Sequence, residues 1–156
     1  MNWEDIVYDP GSTTKAFKYL TDDYKLEILF SGFDNGLFKR TIVIKLDDTP
    51  VMIATSGTKA SNDLFLDILQ NAHTTPIGVK LFSPQLGIRR GDMIVTQKAL
   101  RTIDDEVISD YMKTLDIDKD LYFRTSTFTH DEQSMELKEY ILPGLKLIID
   151  KYTLRL

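Results

Sequence analysis

Two strand-like runs joined by a very short turn constrain the fold of this chain most strongly. From Tyr24 to Phe33 the side chains alternate between two faces, and the run from Leu37 to Leu46 is rich in β-branched residues. Asp34-Asn35-Gly36 between them is typical of a β-hairpin turn. Because so short a connection joins antiparallel strands, the sequence predicts an antiparallel sheet.

More strand-like runs follow along the chain. After a turn at Asp47-Asp48-Thr49-Pro50, a third strand is predicted at Val51–Ser56. Leu86–Leu100 is predicted to form one long strand or two pieces, with bends at Gly87 and Gly91. A second hairpin is predicted from Leu121–Thr129 and Met135–Leu142.

Helical patterns lie between these runs of strands. Ser12 is a good N-cap for a helix that reaches Leu20, Thr58–Ala72 has apolar residues at helical spacing, and the tail Leu145–Tyr152 fits either a strand or a helix. Shorter helices are predicted near Pro76 and at Asp104–Met112. Together the elements predict an α+β fold, a single domain over residues 1–156 with one antiparallel sheet of about six strands and helices flanking an internal ligand pocket.

Composition excludes several classes of function. The 156 residues carry a net charge of −5 and no basic stripe, which argues against nucleic acid as a partner. The absence of cysteine excludes disulfides, thiolate catalysis and cysteine-type zinc sites. His73 and His130 lack a metal-ligand spacing, so no metal is expected.

The same sequence predicts a protein that works in the cytoplasm. No apolar run approaches the ~20 residues of a membrane span, and the first residues lack the features of a signal peptide. We therefore expect no membrane partner, no cofactor, and a monomer or small homo-oligomer.

Several short motifs occur in a characteristic order. Ser12 and Thr14 begin the first helix, Arg40 lies early in the second strand, Thr75–Phe82 reads Thr-Pro-Ile-Gly-Val-Lys-Leu-Phe, and Glu139 precedes Leu142-Pro143. The segment from Leu121 to Ser126 adds aromatic residues and an arginine. This order, from about Asp9 to Pro143, resembles the chorismate lyase family, also called 4-hydroxybenzoate synthases.

The resemblance implies a cofactor-free reaction that converts chorismate into 4-hydroxybenzoate and pyruvate. It implies that Arg40 clamps a substrate carboxylate, which a guanidinium matches with two parallel hydrogen bonds. It implies that Glu139 acts as an acid, a base or a hydrogen-bond partner of the leaving oxygen, and that a backbone amide of Ile77 or Gly78 caps a carboxylate. The further residues implied to bind substrate are Thr13, Ile77, Gly78 and Arg124.

The chain also departs from this family. Thr13 replaces a larger apolar residue, and the arginine expected after the third strand is missing, so Lys80, Arg89 or Arg90 would have to supply its charge. Two other functions therefore stay open: a lyase acting on a related chorismate-derived acid, and a non-catalytic sensor domain of the same fold that binds a small aromatic acid. Without the resemblance, Arg40 would be interpreted as a surface residue paired with Asp47 or Glu27.

Overall fold

The computed structural model describes residues 2–153, so residues 1 and 154–156 of the predicted domain lie outside the described part. The helices are α1 (Trp3–Val7), α2 (Thr13–Leu20), α3 (Asp63–Asn71), α4 (Gly78–Leu81), α5 (Glu106–Thr114) and α6 (Gly144–Thr153). The strands are β1 (Tyr24–Asp34), β2 (Leu37–Leu46), β3 (Thr49–Lys59), β4 (Arg89–Arg90), β5 (Ile94–Lys98), β6 (Leu121–His130) and β7 (Gln133–Ile141). Short 3-10 turns lie at Pro84–Leu86 and Leu100–Thr102.

All strands belong to one antiparallel sheet, as predicted. Its order is β1-β2-β3-β7-β6, and both β4 and β5 pair with the outer edge of β6. The Leu86–Leu100 region therefore forms two strand pieces, interrupted around Gly91. Counting these two pieces separately gives seven strands where about six were predicted.

Tight turns set the register of the first three strands. Asn35 and Gly36 both have positive φ, at 52° and 81°, as a two-residue hairpin turn requires. Asp47 and Asp48 form a second such turn, with φ of 49° and 62°. The sequence pattern predicted that Thr49 and Pro50 lie in this turn. Because two residues complete the turn, both belong to β3 instead.

The predicted helix from Thr58 begins later than expected. Thr58 pairs with Phe38 in the sheet, and its hydroxyl donates to the Ser134 carbonyl at 2.8 Å. Asn62 donates to the same carbonyl at 2.9 Å. These contacts keep the backbone extended through Lys59, so α3 starts only at Asp63.

Helices cover both faces of the sheet. On the face called here the front face, α1, α2 and α6 pack on the centre of the sheet, and α3 and α4 pack beside them. On the opposite face, α5 packs against Val43, Ile53 and Tyr140. The apolar tail forms α6, one of the two structures predicted for it, and buries Leu145, Ile148 and Ile149.

Candidate functional site

A small cavity lies between the front face of the sheet and the segments that cover it. Its volume is about 60 Å³. The cover consists of the first turn of α2 and the stretch from Pro76 through α4. The lining includes Thr13, Tyr24, Arg40, Ile77, Gly78, Phe82, Arg90, Phe128 and Glu139.

The strand register brings Arg40 and Glu139 to this face. Arg40 on β2 lies opposite Ser56 on β3, and Glu139 on β7 lies opposite Ala54, two residues earlier on β3. Residues two apart on a strand point to the same face. The two predicted catalytic residues therefore line one cavity, separated by the width of β3.

Within residues 2–153, Arg40 is a buried cation without a carboxylate partner. The residue is only 2% exposed. Nη2 donates to the carbonyls of His73 and Thr75, both at 2.9 Å, and Nε donates to no atom of residues 2–153. Burial lowers the pKa of Arg40 below its ordinary value, and the nearby Tyr24 acts in the opposite direction.

The surface interpretation of Arg40 is wrong. Glu27 pairs with Lys45 at 3.0 Å, and Asp47 accepts hydrogen bonds from Thr21 and from α6. Neither carboxylate is paired with Arg40, whose guanidinium points into the front-face cavity region instead.

Glu139 forms a buried ion pair with Arg124. Arg124 Nη2 donates to Glu139 Oε2 at 2.7 Å and to Thr13 Oγ1 at 2.9 Å. Thr13 in turn donates to Glu139 Oε2 at 3.4 Å. Glu139 Oε1 is buried and has no hydrogen-bond partner among the described residues, so it is an acceptor that remains available at the cavity.

Arg124 is placed differently from the other predicted binding residues. It is buried, and it is not among the residues that line the cavity. Its Nη1 donates to the carbonyls of Ile6, Val7 and Asp9, at 2.9, 3.2 and 3.4 Å. Arg124 therefore holds Glu139 in place and ties the C-terminal end of α1 to the sheet.

Ile77 and Gly78 lie in the cover of the cavity, on the side opposite the sheet. Ile77 is the N-cap of α4, and its carbonyl accepts from Lys80 and Leu81 at 3.0 Å. A Cβ at Gly78 would lie 3.4 Å from Ser12 Oγ. This distance is an ordinary van der Waals contact, so α4 and the N-cap of α2 lie side by side over the cavity.

Tyr24 is another titratable residue of the cavity lining. Burial raises the pKa of Tyr24 above its ordinary value, while the nearby Thr14 side chain and the charge of Arg40 lower it. Its hydroxyl is therefore a neutral donor and acceptor at neutral pH. The Tyr24 hydroxyl is buried and forms no hydrogen bond within residues 2–153.

Arg90 is a cavity residue that the sequence indicated only as one of three replacement charges. Of these, Lys80 and Arg89 are exposed, and Arg90 is half-buried in the cavity lining. The signal that could have identified it is its position one residue before Gly91, where the strand is interrupted.

Other kinds of site have no support within residues 2–153. That part of the chain contains no cluster of three His, Cys, Asp or Glu side chains able to hold a metal ion. None of its helices is long and apolar enough to cross a membrane.

Comparison with known proteins identifies the fold through solved structures. No family model and no curated protein matches the chain. The C-terminal domain of the histidine utilization repressor from Pseudomonas syringae is similar with a TM-score of 0.51 and 16% identity, over 78% of this chain and 92% of that domain. YydK, a possible transcriptional regulator from Bacillus subtilis, is similar with a TM-score of 0.50 and 12% identity, over 80% of this chain and 60% of that one.

A third similar structure is the ligand-binding domain of a Bordetella bronchiseptica protein assigned to the GntR family of transcriptional regulators. Its TM-score is 0.49 at 13% identity, over 78% of this chain and 87% of that domain. At such identities the similarity shows the fold, which is the chorismate lyase-like fold that the sequence predicted. The three proteins named here are regulators, and no chorismate lyase is among them.

Proposed function

We propose that this chain is a small-molecule-binding domain that holds a small organic acid in the front-face cavity, with Arg40 as the group that binds the acid. In this proposal the domain senses the ligand and does not convert it. The observation that carries the proposal is the charge of Arg40, which is buried and has no acidic partner among residues 2–153.

A buried charge is costly unless something compensates it. Two backbone carbonyls stabilise the guanidinium only partly, since they carry partial charges. A carboxylate in the cavity would supply a full opposite charge and could accept two parallel hydrogen bonds from the fork. Ligand binding would therefore remove an unfavourable feature of the empty site.

The ion pair with Arg124 suits Glu139 to accept a hydrogen bond and argues against a role as general acid. A general acid must carry a proton that it can donate, whereas the Glu139 carboxylate forms an ion pair with Arg124 at 2.7 Å. An ionised carboxylate only accepts hydrogen bonds. Glu139 Oε1 is thus suited to accept a bond from a hydroxyl of the ligand. The similarity in fold to domains of transcriptional regulators supports the same proposal.

The size of the cavity implies that its cover moves. A volume of about 60 Å³ is well below the ~300–1,000 Å³ of typical ligand sites. The cover includes α4, which is only four residues long and presents Val79 to solvent, and the partly exposed Phe82 follows it. We expect an aromatic acid to enter by displacing α4 away from the sheet.

Calorimetry with benzoate and 4-hydroxybenzoate tests the proposal. Wild-type protein should bind at least one of these acids, and Arg40→Gln should lose most of the affinity, while the exposed Arg101→Gln should bind as wild type does. Arg40→Lys keeps a cation but not the fork, and we expect intermediate affinity. Because a ligand that binds only the folded state raises stability, the melting temperature should rise with ligand in wild type and not in Arg40→Gln. Binding that is insensitive to Arg40 would contradict the proposal, provided that circular dichroism shows the variant folded.

A lyase is the second candidate, because Arg40 and Glu139 line the same cavity as the family resemblance implied. Incubating the protein with chorismate and measuring pyruvate through a coupled NADH assay distinguishes the two candidates. Release of pyruvate that depends on Glu139 would favour the lyase, and a small panel of chorismate-derived acids would extend the test. Binding of 4-hydroxybenzoate without any pyruvate would favour the sensor.

A further inference from the structure

A second guanidinium, that of Arg90, lies at the front-face cavity and forms no ion pair with the part of the chain that the structure describes. We infer that Arg90 is a second anion-binding group, so that the ligand carries two separate acid groups, one held by Arg40 and the other by Arg90. This inference rests on the proposed function and specifies the class of ligand that the cavity takes.

Arg90 is held firmly at the edge of the cavity. Its Nε and Nη2 donate to Ser126 Oγ, at 3.3 and 2.8 Å, and Nη1 donates to the Pro10 carbonyl. Its guanidinium lies 5.3 Å from the ring centre of Phe128 and 5.6 Å from that of Phe82. Rings and neutral acceptors fix the orientation of a guanidinium without neutralising its charge.

The balance of charge leaves two cations for the ligand. Glu139 is the acidic residue in the cavity lining, and it is already matched by Arg124 at 2.7 Å. The described residues form no ion pair with either Arg40 or Arg90. Burial lowers the pKa of Arg90, and besides Glu139 the acidic residue that opposes this is Asp9. Asp9 is exposed, so solvent and salt screen its charge.

The positions of the two cations favour separate acid groups over a single doubly charged one. Arg40 on β2, Ser56 on β3, Leu137 on β7 and Ser126 on β6 form one row across the sheet. Three strand spacings, roughly 14 Å, separate the ends of this row. The backbone of Arg40 stands at one end, and the Arg90 guanidinium is bonded to Ser126 at the other, so the two side chains reach the cavity lining from opposite ends of the row.

The chain itself provides a matched control. Arg89 precedes Arg90 in β4 but is exposed, and it pairs with Thr129 in the register rather than with Phe128. Neutralising Arg89 changes the net charge by the same amount as neutralising Arg90. A difference between the two variants therefore reports on the cavity and not on the overall charge.

Competition between simple aromatic acids tests the inference. We would measure binding of benzoate, phenyl phosphate, isophthalate and terephthalate to wild type, Arg89→Gln, Arg90→Gln and Arg90→Lys. Wild type and Arg89→Gln should prefer the better of the two dicarboxylates to benzoate by about tenfold or more, the effect expected of one additional charge-assisted contact. Arg90→Gln should lose this preference while it still binds benzoate, and Arg90→Lys should keep part of it.

The failures of the inference and of the proposed function differ. If benzoate binds through Arg40 but neither dicarboxylate binds more tightly, or if Arg90→Gln keeps the preference, the second site is refuted and the proposed function stands. A preference for phenyl phosphate over both dicarboxylates would refute separate acid groups. If Arg90→Gln binds none of the acids, Arg90 supports the fold of the site, and thermal melts of the variant would confirm this. That result would overturn the specific role of Arg90 in selecting a second acid group.

Discussion

Arg124 and Glu139 form a buried ion pair that joins the cavity to the N-terminal helix. The two side chains are 1% and 5% exposed, and Nη2 lies 2.7 Å from Oε2. They face each other across the β6–β7 pairing. The same guanidinium donates hydrogen bonds to carbonyls at the C-terminal end of α1, where a cation is favourable.

Breaking this pair should destabilise the protein strongly. Arg124→Gln leaves the Glu139 carboxylate buried without its cation and removes the cap of α1. We expect the free energy of unfolding to fall by about 3–5 kcal/mol, measured by urea denaturation at pH 7. The double variant Arg124→Gln/Glu139→Gln should lose less than the sum of the single losses, because it contains no unpaired buried charge. Additive losses would show that the two side chains do not stabilise each other.

Much of the fold was predictable because local rules and tertiary structure agree. Asn35-Gly36 set the register of the first hairpin, whereas the expectation that Arg40 and Glu139 share one pocket came from the family resemblance. Ser12 caps α2, where its hydroxyl accepts from the Lys15 amide at 3.4 Å. For the hairpin turn and the cap of α2, neighbouring residues alone carry the signal.

The parts that could not be predicted depend on distant partners. Nothing near Thr58 in the sequence shows that the Ser134 carbonyl will bind its hydroxyl and hold the strand extended. In sequence Arg124 resembles any strand arginine, because the carbonyls that it binds, two in α1 and one at Asp9 just after it, lie more than 100 residues away. The role of Arg90 likewise depends on Pro10, a residue 80 positions away.

The acid stability of the protein should depend on Asp47. Hydrogen bonds from Tyr152, Lys151 and Thr21 lower the pKa of Asp47 from its ordinary value of 3.8 to about 2. Since the pKa is lower in the folded state, the stabilising contribution is complete above about pH 4 and is lost as the pH falls towards 2. Asp47→Asn should therefore reduce stability at pH 7 and flatten its decline between pH 4 and pH 2, as urea denaturation at several pH values would show. Asparagine also tolerates the φ of 49° at this position. An unchanged acid profile in the variant would contradict this assignment.

The first hairpin turn should be sensitive to a methyl group at Gly36. Its φ is 81°, and an added Cβ would have no heavy atom within 4 Å, so the cost is conformational and not steric. We expect Gly36→Ala to lower the free energy of unfolding by about 1 kcal/mol. Gly57→Ala in β3 is the control, because a Cβ there would be 4.0 Å from its nearest contact, the Phe38 carbonyl oxygen. Equal stability of the two variants would refute the turn requirement.

The start of α6 requires glycine for a different reason, namely close approach. A Cβ at Gly144 would overlap the Pro50 carbonyl oxygen and lie 2.7 Å from Thr49 Cγ2. Both obstacles belong to the first residues of β3, which the sheet holds in place, so α6 itself would have to shift. We expect Gly144→Ala to cost about 2–3 kcal/mol, in the upper range for overpacking, with Gly57→Ala again as the control. Near-native stability of Gly144→Ala in urea denaturation would mean that α6 can move away from β3 without losing the contacts of Leu145 and Ile148.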